Sequence, residues 1–391
     1  MVKDNNKQKI PLWRNQKVIQ FFWQLVVLVA VIGTVFICIH NAMESLNKSG
    51  LKFGFSFLNS SASFGIGETV IEYSPQDSYL KALVVGFINS LKVIVIGVIL
   101  STLLGVVMGV ARLSDNWMAK AVSGAYVEIF RNTPLLVQIF IWYFAVFLTL
   151  PKIQDASSYF GFYLTNRGFV FPWFEMNDSS LLWFITIAVG FLFFLFVRKR
   201  LVEKQIESGN RTYPLVSVIG GFFVLLTVSF FMFPDLPLNL SVPTVEGMGF
   251  TGGYRFTPEF AAILFGLVFY TASYITEIVR GGIQSVSKGQ IEAAKALGFT
   301  RFSILRLVTF PQAIRTIIPP VTSQYLNLAK NSSLAVAVAY PDLVNVGYTV
   351  LNQTGKAIEV ILIFLVVYLT ISLVTSFLMN IYNNMTKLVE R

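Results

Sequence analysis

Eight apolar runs, each nearly free of charge and long enough to approach the thickness of a bilayer, constrain this chain most. A helix needs roughly 20 apolar residues to cross the hydrocarbon core. The predicted spans are residues 18–43, 93–111, 132–151, 179–197, 212–234, 260–276, 316–329 and 360–386. The second is expected to begin near Leu83 with Lys92 inside it, and the seventh to continue past Lys330. These runs predict an all-α integral membrane protein with about eight transmembrane helices.

Composition argues against a soluble fold. Charged residues make up 13% of the chain, whereas soluble proteins carry about 25%. So little charge would not cover the surface of a 391-residue soluble protein. The chain has one cysteine, Cys38, and one histidine, His40, which leaves no internal disulfide and little material for a Cys/His metal site or a Ser-His-Asp triad. We therefore expect no metal site, and His40 is interpreted as an interfacial residue.

The distribution of basic residues predicts the orientation. Basic residues precede the first run, as in a signal peptide, but this run is longer than the apolar region of about 7–15 residues in a signal peptide. It is therefore interpreted as an uncleaved helix. With eight spans and an inner N-terminus, 21 of the 30 Lys and Arg residues fall in inner segments and 7 in outer segments. Lys and Arg concentrate on the cytoplasmic side, so both termini are predicted to be cytoplasmic.

The loop after the sixth span carries the most specific pattern in the chain. The stretch "SKGQIEAAKALG" predicts a short Ala-rich helix over 290–297, with Gly298 as its C-terminal cap. A second short helix, "FTRFSILRLVTF", is expected to end at Pro311. Small side chains on an inner helix allow another protein surface to approach closely. The alternative is a loop that folds against its own bundle.

The same stretch resembles the EAA loop of ABC importer permeases. The family pattern is matched by Glu292, Ala293, Ala294, Gly298 and Pro311, with apolar replacements at Val308 and Phe310. Flanking segments "YVEIFRNTPLLVQIFIWYF", "SYITEIVRGGIQSV" and "LAKNSSLAVAVAYPDL" are similar to permeases of polar amino acid importers. The resemblance covers about 86–149 and 259–382. Three additional spans make the chain look like the enlarged permeases of general L-amino acid systems in Gram-negative bacteria.

The resemblance implies a division of labour in a bacterial inner membrane. The chain would be the pore subunit of a type I ABC importer, working by alternating access. A separate ATPase subunit would dock on the EAA loop, a periplasmic binding protein would deliver the amino acid, and a second permease, identical or related, would complete the pore. The implied coupling residues are Gln290, Glu292, Ala293, Ala294, Leu297, Gly298 and Pro311. No G-x-x-x-x-G-K-[ST] pattern occurs in the chain, so ATP would be bound by the partner.

The resemblance also divides the chain. Residues 1–85 would hold the cytoplasmic N-terminus, an extra first helix and an outer segment. Residues 86–382 would form the permease domain, interrupted at about 151–258 by an insertion with two extra helices. Residues 383–391 would be a cytoplasmic tail.

Ionisable residues at membrane depth are candidates for the substrate path, because burying them in lipid is costly. Lys330, followed by Asn331, Ser332 and Ser333, could meet the carboxylate of an amino acid, or could pair with a nearby carboxylate or reach the interface. Glu277 could meet the ammonium group. The alternative for Glu277 is a helical ion pair with Arg280, three residues later.

Two other functions are compatible with parts of the pattern. An ion-coupled secondary amino acid transporter would use Glu277 and Lys330 for its ion or its substrate. A membrane scaffold would transport nothing. Neither has a reason to present an EAA loop, and neither would need an ATPase partner.

Overall fold

The computed structural model describes residues 16–48, 53–156, 158, 160–208, 214–233, 235–247 and 249–386. Twelve α-helices lie in this part of the chain, and most of them are long. They are α1 (Gln16–Lys48), α2 (Tyr79–Ala111), α3 (Trp117–Asn132), α4 (Leu135–Phe140), α5 (Asp178–Ser208), α6 (Pro214–Met232), α7 (Pro258–Gln284), α8 (Lys288–Ala296), α9 (Arg301–Ile304), α10 (Phe310–Asn331), α11 (Leu343–Thr354) and α12 (Ala357–Thr386).

Six of the described helices are individually long and apolar enough to cross a membrane, and two bent pairs raise the number to eight. One bend, of 105°, separates α3 from the stretch 135–147. Its cause is Pro134, which forces Thr133 into an extended conformation. The buried Gln138 amide closes the bend by donating to the carbonyls of Phe130 and Thr133, at 2.8 and 2.9 Å. The predicted span at 132–151 is thus the second half of a bent pair.

The helix that follows the inner loop differs from the prediction. It does not end at Pro311, because α9 continues through a π-helical turn (Leu305–Thr309) into α10. Pro311 lies in the first turn of α10, where its missing N–H is not needed. A 3-10 segment, Ser332–Val338, extends α10, and α11 then follows at 54°. Helix α11 has no counterpart among the predicted spans.

The segment 151–258 contains two helices, α5 and α6, where two were predicted, and also short strands that were not predicted. The strands are β1 (Tyr163–Thr165), β2 (Gly168–Phe171), β3 (Trp173–Met176), β4 (Leu238–Ser241), β5 (Thr244–Glu246), β6 (Gly249–Thr251) and β7 (Tyr254–Phe256). They form antiparallel sheets in the orders β1-β2-β7, β3-β4 and β5-β6. Strand β3 precedes α5 and β4 follows α6, so their pairing closes the helical hairpin. Inside the hairpin the Trp183 indole donates to Ser229 Oγ at 3.0 Å.

The core rests on the close contact of α2 with α7. A Cβ added to Gly105 would lie 2.6 Å from Ile275, and one added to Gly109 would lie 2.8 Å from Val279. The two helices can approach this closely only because these positions lack side chains. The Gly105–Gly109 face, which could also have served a dimer contact, therefore packs within the chain.

A largely buried ion pair anchors segment 53–78, which precedes α2, to this core. Lys92, inside α2, contacts Glu68 at 2.5 Å, with side-chain exposures of 12% and 11%. Thr257 Oγ1 donates to the other Glu68 oxygen at 2.6 Å, and the Lys92 ammonium lies 4.2 Å from the centre of the Phe260 ring. The charge of Lys92, which was predicted inside the second span, is thus neutralised by Glu68 from the segment before α2. Asn89 adds amide hydrogen bonds to the carbonyls of Glu68 and Pro341.

The α2–α7 contact predicts that Gly105→Leu prevents correct assembly. The new side chain would occupy the space of Ile275, and overpacking of this kind costs typically 1–3 kcal/mol or more. Gly124→Leu in α3 is the matched control, because a Cβ there meets nothing within 4 Å. The measurement is the amount of membrane-inserted protein and its thermal unfolding in detergent. Equal stability of the two variants would show that the α2–α7 contact is not a constraint.

Candidate functional site

Helix α8 ends as its sequence predicts, although it begins two residues earlier than expected. Gly298 has a φ of +79°, a left-handed conformation that glycine adopts without strain. The Gly298 N–H donates to the Lys295 carbonyl at 2.9 Å, and the Phe299 N–H donates to the Ala294 carbonyl at 3.2 Å. This pair of bonds is the Schellman arrangement. It stops the helix and turns the chain toward α9.

Helix α8 and the turn after it are exposed over most of their length, and we call part of this exposed region the coupling surface. It is defined by Gln290, Glu292, Ala293, Leu297 and Phe302, all exposed, whereas Ala294 is buried beneath them. The exposed fractions of Leu297 and Phe302 are 78% and 71%. Large apolar side chains beside charged ones on an exposed surface are typical of a protein contact. Pro311 is also exposed, at the start of α10.

The coupling surface is joined to the two helices that flank it. A Cβ added to Gly282, near the end of α7, would collide with the Ile317 side chain of α10. Ser285 Oγ donates to the Gly282 carbonyl at 2.7 Å and to Thr316 Oγ1 at 3.4 Å. The loop that carries α8 therefore leaves and rejoins the bundle where α7 and α10 are in contact.

Glu277 has two cationic partners at the same end of the bundle. Arg280 donates to Glu277 Oε2 from Nε at 3.0 Å and from Nη2 at 2.9 Å. Arg112, the C-cap of α2, places Nη1 2.5 Å from Glu277 Oε1. The helical pair with Arg280 is therefore present, and Arg112 was not anticipated as a second partner. These ion pairs indicate that the Glu277 carboxylate joins α2 to α7, and they leave it less available to bind a substrate ammonium group.

The exposed face of α10 carries polar side chains in every turn except the one that holds the exposed Pro319 and Pro320. We call this face the α10 stripe; its members are Gln312, Thr316, Ser323, Asn327 and Lys330, at helical spacing and all exposed. The opposite face is apolar and buried, as Ile318 and Leu328 illustrate. The exposed faces of α5, α6 and α12 instead carry large apolar residues. A polar face at membrane depth is expensive in lipid, so the α10 stripe faces water or another protein.

The candidates Lys330, Asn331, Ser332 and Ser333 differ in the polar groups that they have available for a ligand. Lys330 is exposed and makes no ion pair with the described residues. Ser332 Oγ donates to the Ala329 carbonyl at 2.9 Å, and Ser333 Oγ donates to the Lys330 carbonyl at 2.8 Å. These hydroxyls satisfy the C-terminal end of α10, and Asn331 is half-buried beside them. Lys330 is thus the member of the group with a free charge.

Comparisons with known proteins identify the family. The family described as "Binding-protein-dependent transport system inner membrane component" matches residues 101–387. A putative amino-acid ABC transporter permease of Escherichia coli is 42% identical over 381 residues, covering 96% of each chain. The general L-amino acid transport system permease of Rhizobium johnstonii is 42% identical over 371 residues, covering 95% of this chain and 92% of that one. A glutamate/glutamine/aspartate/asparagine transport system permease of Rhodobacter capsulatus is 38% identical, covering 94% and 93%.

These matches extend over nearly the full length of the chain, including the insertion, and they confirm the family predicted from the EAA loop. The family is one of transport components, and the secondary-transporter alternative is not favoured. The chain belongs to the amino acid ABC transporter permeases, the inner-membrane components of binding-protein-dependent transport systems.

Proposed function

We propose that this chain imports L-amino acids as one permease of an ATP-driven complex. The transport functions named for its relatives support this substrate class. The partners are an ATPase subunit that binds and hydrolyses ATP, a periplasmic binding protein that delivers the amino acid, and a second permease, identical or related. The chain itself needs no cofactor. The membrane is the bacterial inner membrane, and both termini are cytoplasmic, in accordance with the distribution of Lys and Arg.

The main support for the proposal is the contact between the loop that carries α8 and the α10 stripe. Ser285 and Thr316 join the loop of α8 to α10, and Thr316 itself belongs to the stripe. A movement of the ATPase against α8 would therefore reorient the polar face of α10. Alternating access requires such a link between a nucleotide-driven motion and the walls of the path.

In this account the α10 stripe is one wall of the substrate path, and the second permease supplies the opposite wall. Lys330 lies at the end of the stripe remote from α8, in the last turn of α10. Its free ammonium is suited to the carboxylate that every amino acid carries, which leaves the variable side chain to other contacts.

The coupling role predicts that Glu292→Lys and Gly298→Val leave the protein inserted but uncouple it from its ATPase. Loss of a charge-assisted hydrogen bond of roughly 1.5–3 kcal/mol would weaken docking by about ten- to a hundredfold. A branched residue at Gly298 resists the left-handed conformation that ends α8. The measurements are membrane level, retention of the ATPase on pull-down and amino acid uptake.

Two variants serve as controls. Gly289→Val lies in the same helix, where a Cβ meets only Ser287 Oγ at 3.7 Å and φ is not positive. Glu203→Lys reverses an exposed charge on α5, away from the coupling surface. Both controls should keep the ATPase and transport normally. Full ATPase retention and normal uptake in Glu292→Lys and Gly298→Val would contradict the coupling role.

The substrate path predicts that Lys330→Met lowers amino acid uptake at least tenfold while the complex stays assembled, because the carboxylate of the substrate loses its counter-charge. Lys330→Arg keeps the charge and should retain most of the uptake. Uptake in proteoliposomes, with ATPase activity stimulated by loaded binding protein as the assembly control, measures the effect. Normal uptake by Lys330→Met would remove this residue from the path.

A further inference from the structure

A polar cleft opens at the outer ends of α7 and α11 and is not used by the function proposed above. Its volume is about 440 Å³, within the range of roughly 300–1,000 Å³ that is usual for small-molecule sites. One wall is the loop 64–68 of the outer segment, another is the junction of β7 with α7, and the third is α11. The polar side chains that line it are Glu68, Arg255, Thr257, Glu259, Asn345 and Thr349.

The charges in this cleft are not equally available. Both oxygens of Glu68 are occupied, one by the Lys92 ammonium and the other by the Thr257 hydroxyl. Glu259 accepts only the Tyr143 hydroxyl, at 3.0 Å to Oε1, and makes no ion pair with the described residues. Arg255 is exposed and has no ion-pair partner among them either. The cleft therefore offers one free guanidinium and one carboxylate without a cation.

On one side of the cleft the backbone is strained, and on the other side two glycines border open space. Ala339 has a φ of +57°, a left-handed conformation that is unfavourable for a residue with a Cβ and that concentrates at functional sites. A Cβ added to Gly65 or Gly67 would meet nothing within 4 Å, so packing does not demand these glycines. Small residues at a cleft wall let a ligand approach the backbone closely.

We propose that this cleft binds a free zwitterionic α-amino acid, with its carboxylate on Arg255 and its ammonium group on Glu259. An α-amino acid carries both charges on one carbon, and the two complementary groups lie only four residues apart along the β7–α7 junction. The proposal rests on the proposed import of amino acids. Ala339 and Pro341, which line the cleft, follow the 3-10 segment that extends α10, so this segment connects the cleft along the chain to the Lys330 end of the α10 stripe.

The test uses the complete complex of both permeases and the ATPase, reconstituted in lipid nanodiscs without binding protein. Binding of ¹⁴C-labelled L-alanine, L-glutamine, L-glutamate and L-arginine is measured at equilibrium. Arg255→Gln and Glu259→Gln should each weaken binding of the amino acids that the wild type holds by about tenfold or more. The controls are Arg167→Gln, on the same three-stranded sheet but outside the cleft, and Glu246→Gln on the β5–β6 ribbon. Both controls should bind as the wild type does.

A second measurement separates this site from a docking surface for the binding protein. The dissociation constant of loaded binding protein for the complex should change less than twofold in Arg255→Gln, while uptake in proteoliposomes falls at least tenfold. A parallel loss of docking would assign the cleft to the binding protein and overturn the proposal. Unchanged binding and uptake in both cleft variants, or no binding by the wild-type complex, would also overturn it. Failure of the proposed function would be seen separately, as a wild-type complex that takes up none of the four amino acids.

Discussion

A polar side chain on a membrane-spanning helix needs water, a protein partner or an opposite charge, because hydrocarbon offers none of these. The chain meets this constraint in two ways. Lys92 and Glu68 neutralise each other inside the bundle, and Glu277 is held by Arg112 and Arg280. The α10 stripe contains no ion pair with the described residues, and its side chains are exposed. Water or a second protein would therefore have to satisfy most of its polar groups.

The α10 stripe and the coupling surface are connected through the loop that carries α8. Gly105 and Gly109 fix α7 against α2, so α7 is a firm support rather than an independently moving helix. The loop of α8 starts from the end of α7 and returns beside Thr316 of α10. In the proposed coupling, α7 resists a push on α8 and α10 transmits it. Ion pairs around Glu277 strengthen the fixed side, and the π-helical turn before α10 offers a place where helical hydrogen bonds are already rearranged.

Sequence patterns predicted the membrane class, the helix α8 with its glycine cap and the family, because apolar length, capping and the EAA spacing are local properties. They missed features that depend on distant residues. The partner of Lys92 lies 24 residues earlier in an outer loop, and the strands β3 and β4 are separated by a complete helical hairpin. The span predicted within α10 was short because Arg315 and Lys330 bound its charge-free run. Pro311 was read as a stop, although a proline in a first helical turn is compatible with continuation.

Exposure of the α10 stripe to an aqueous path can be measured by the accessibility of cysteines placed along it. In a Cys38→Ala background, single cysteines replace Thr316, Ser323 and Asn327, and Leu192 and Phe196 of α5 serve as apolar exposed controls. The rate of modification by a charged, water-soluble methanethiosulfonate is measured in the assembled complex. The account predicts that the three stripe positions react at least tenfold faster than the two controls. Equally slow modification at all five positions would contradict it.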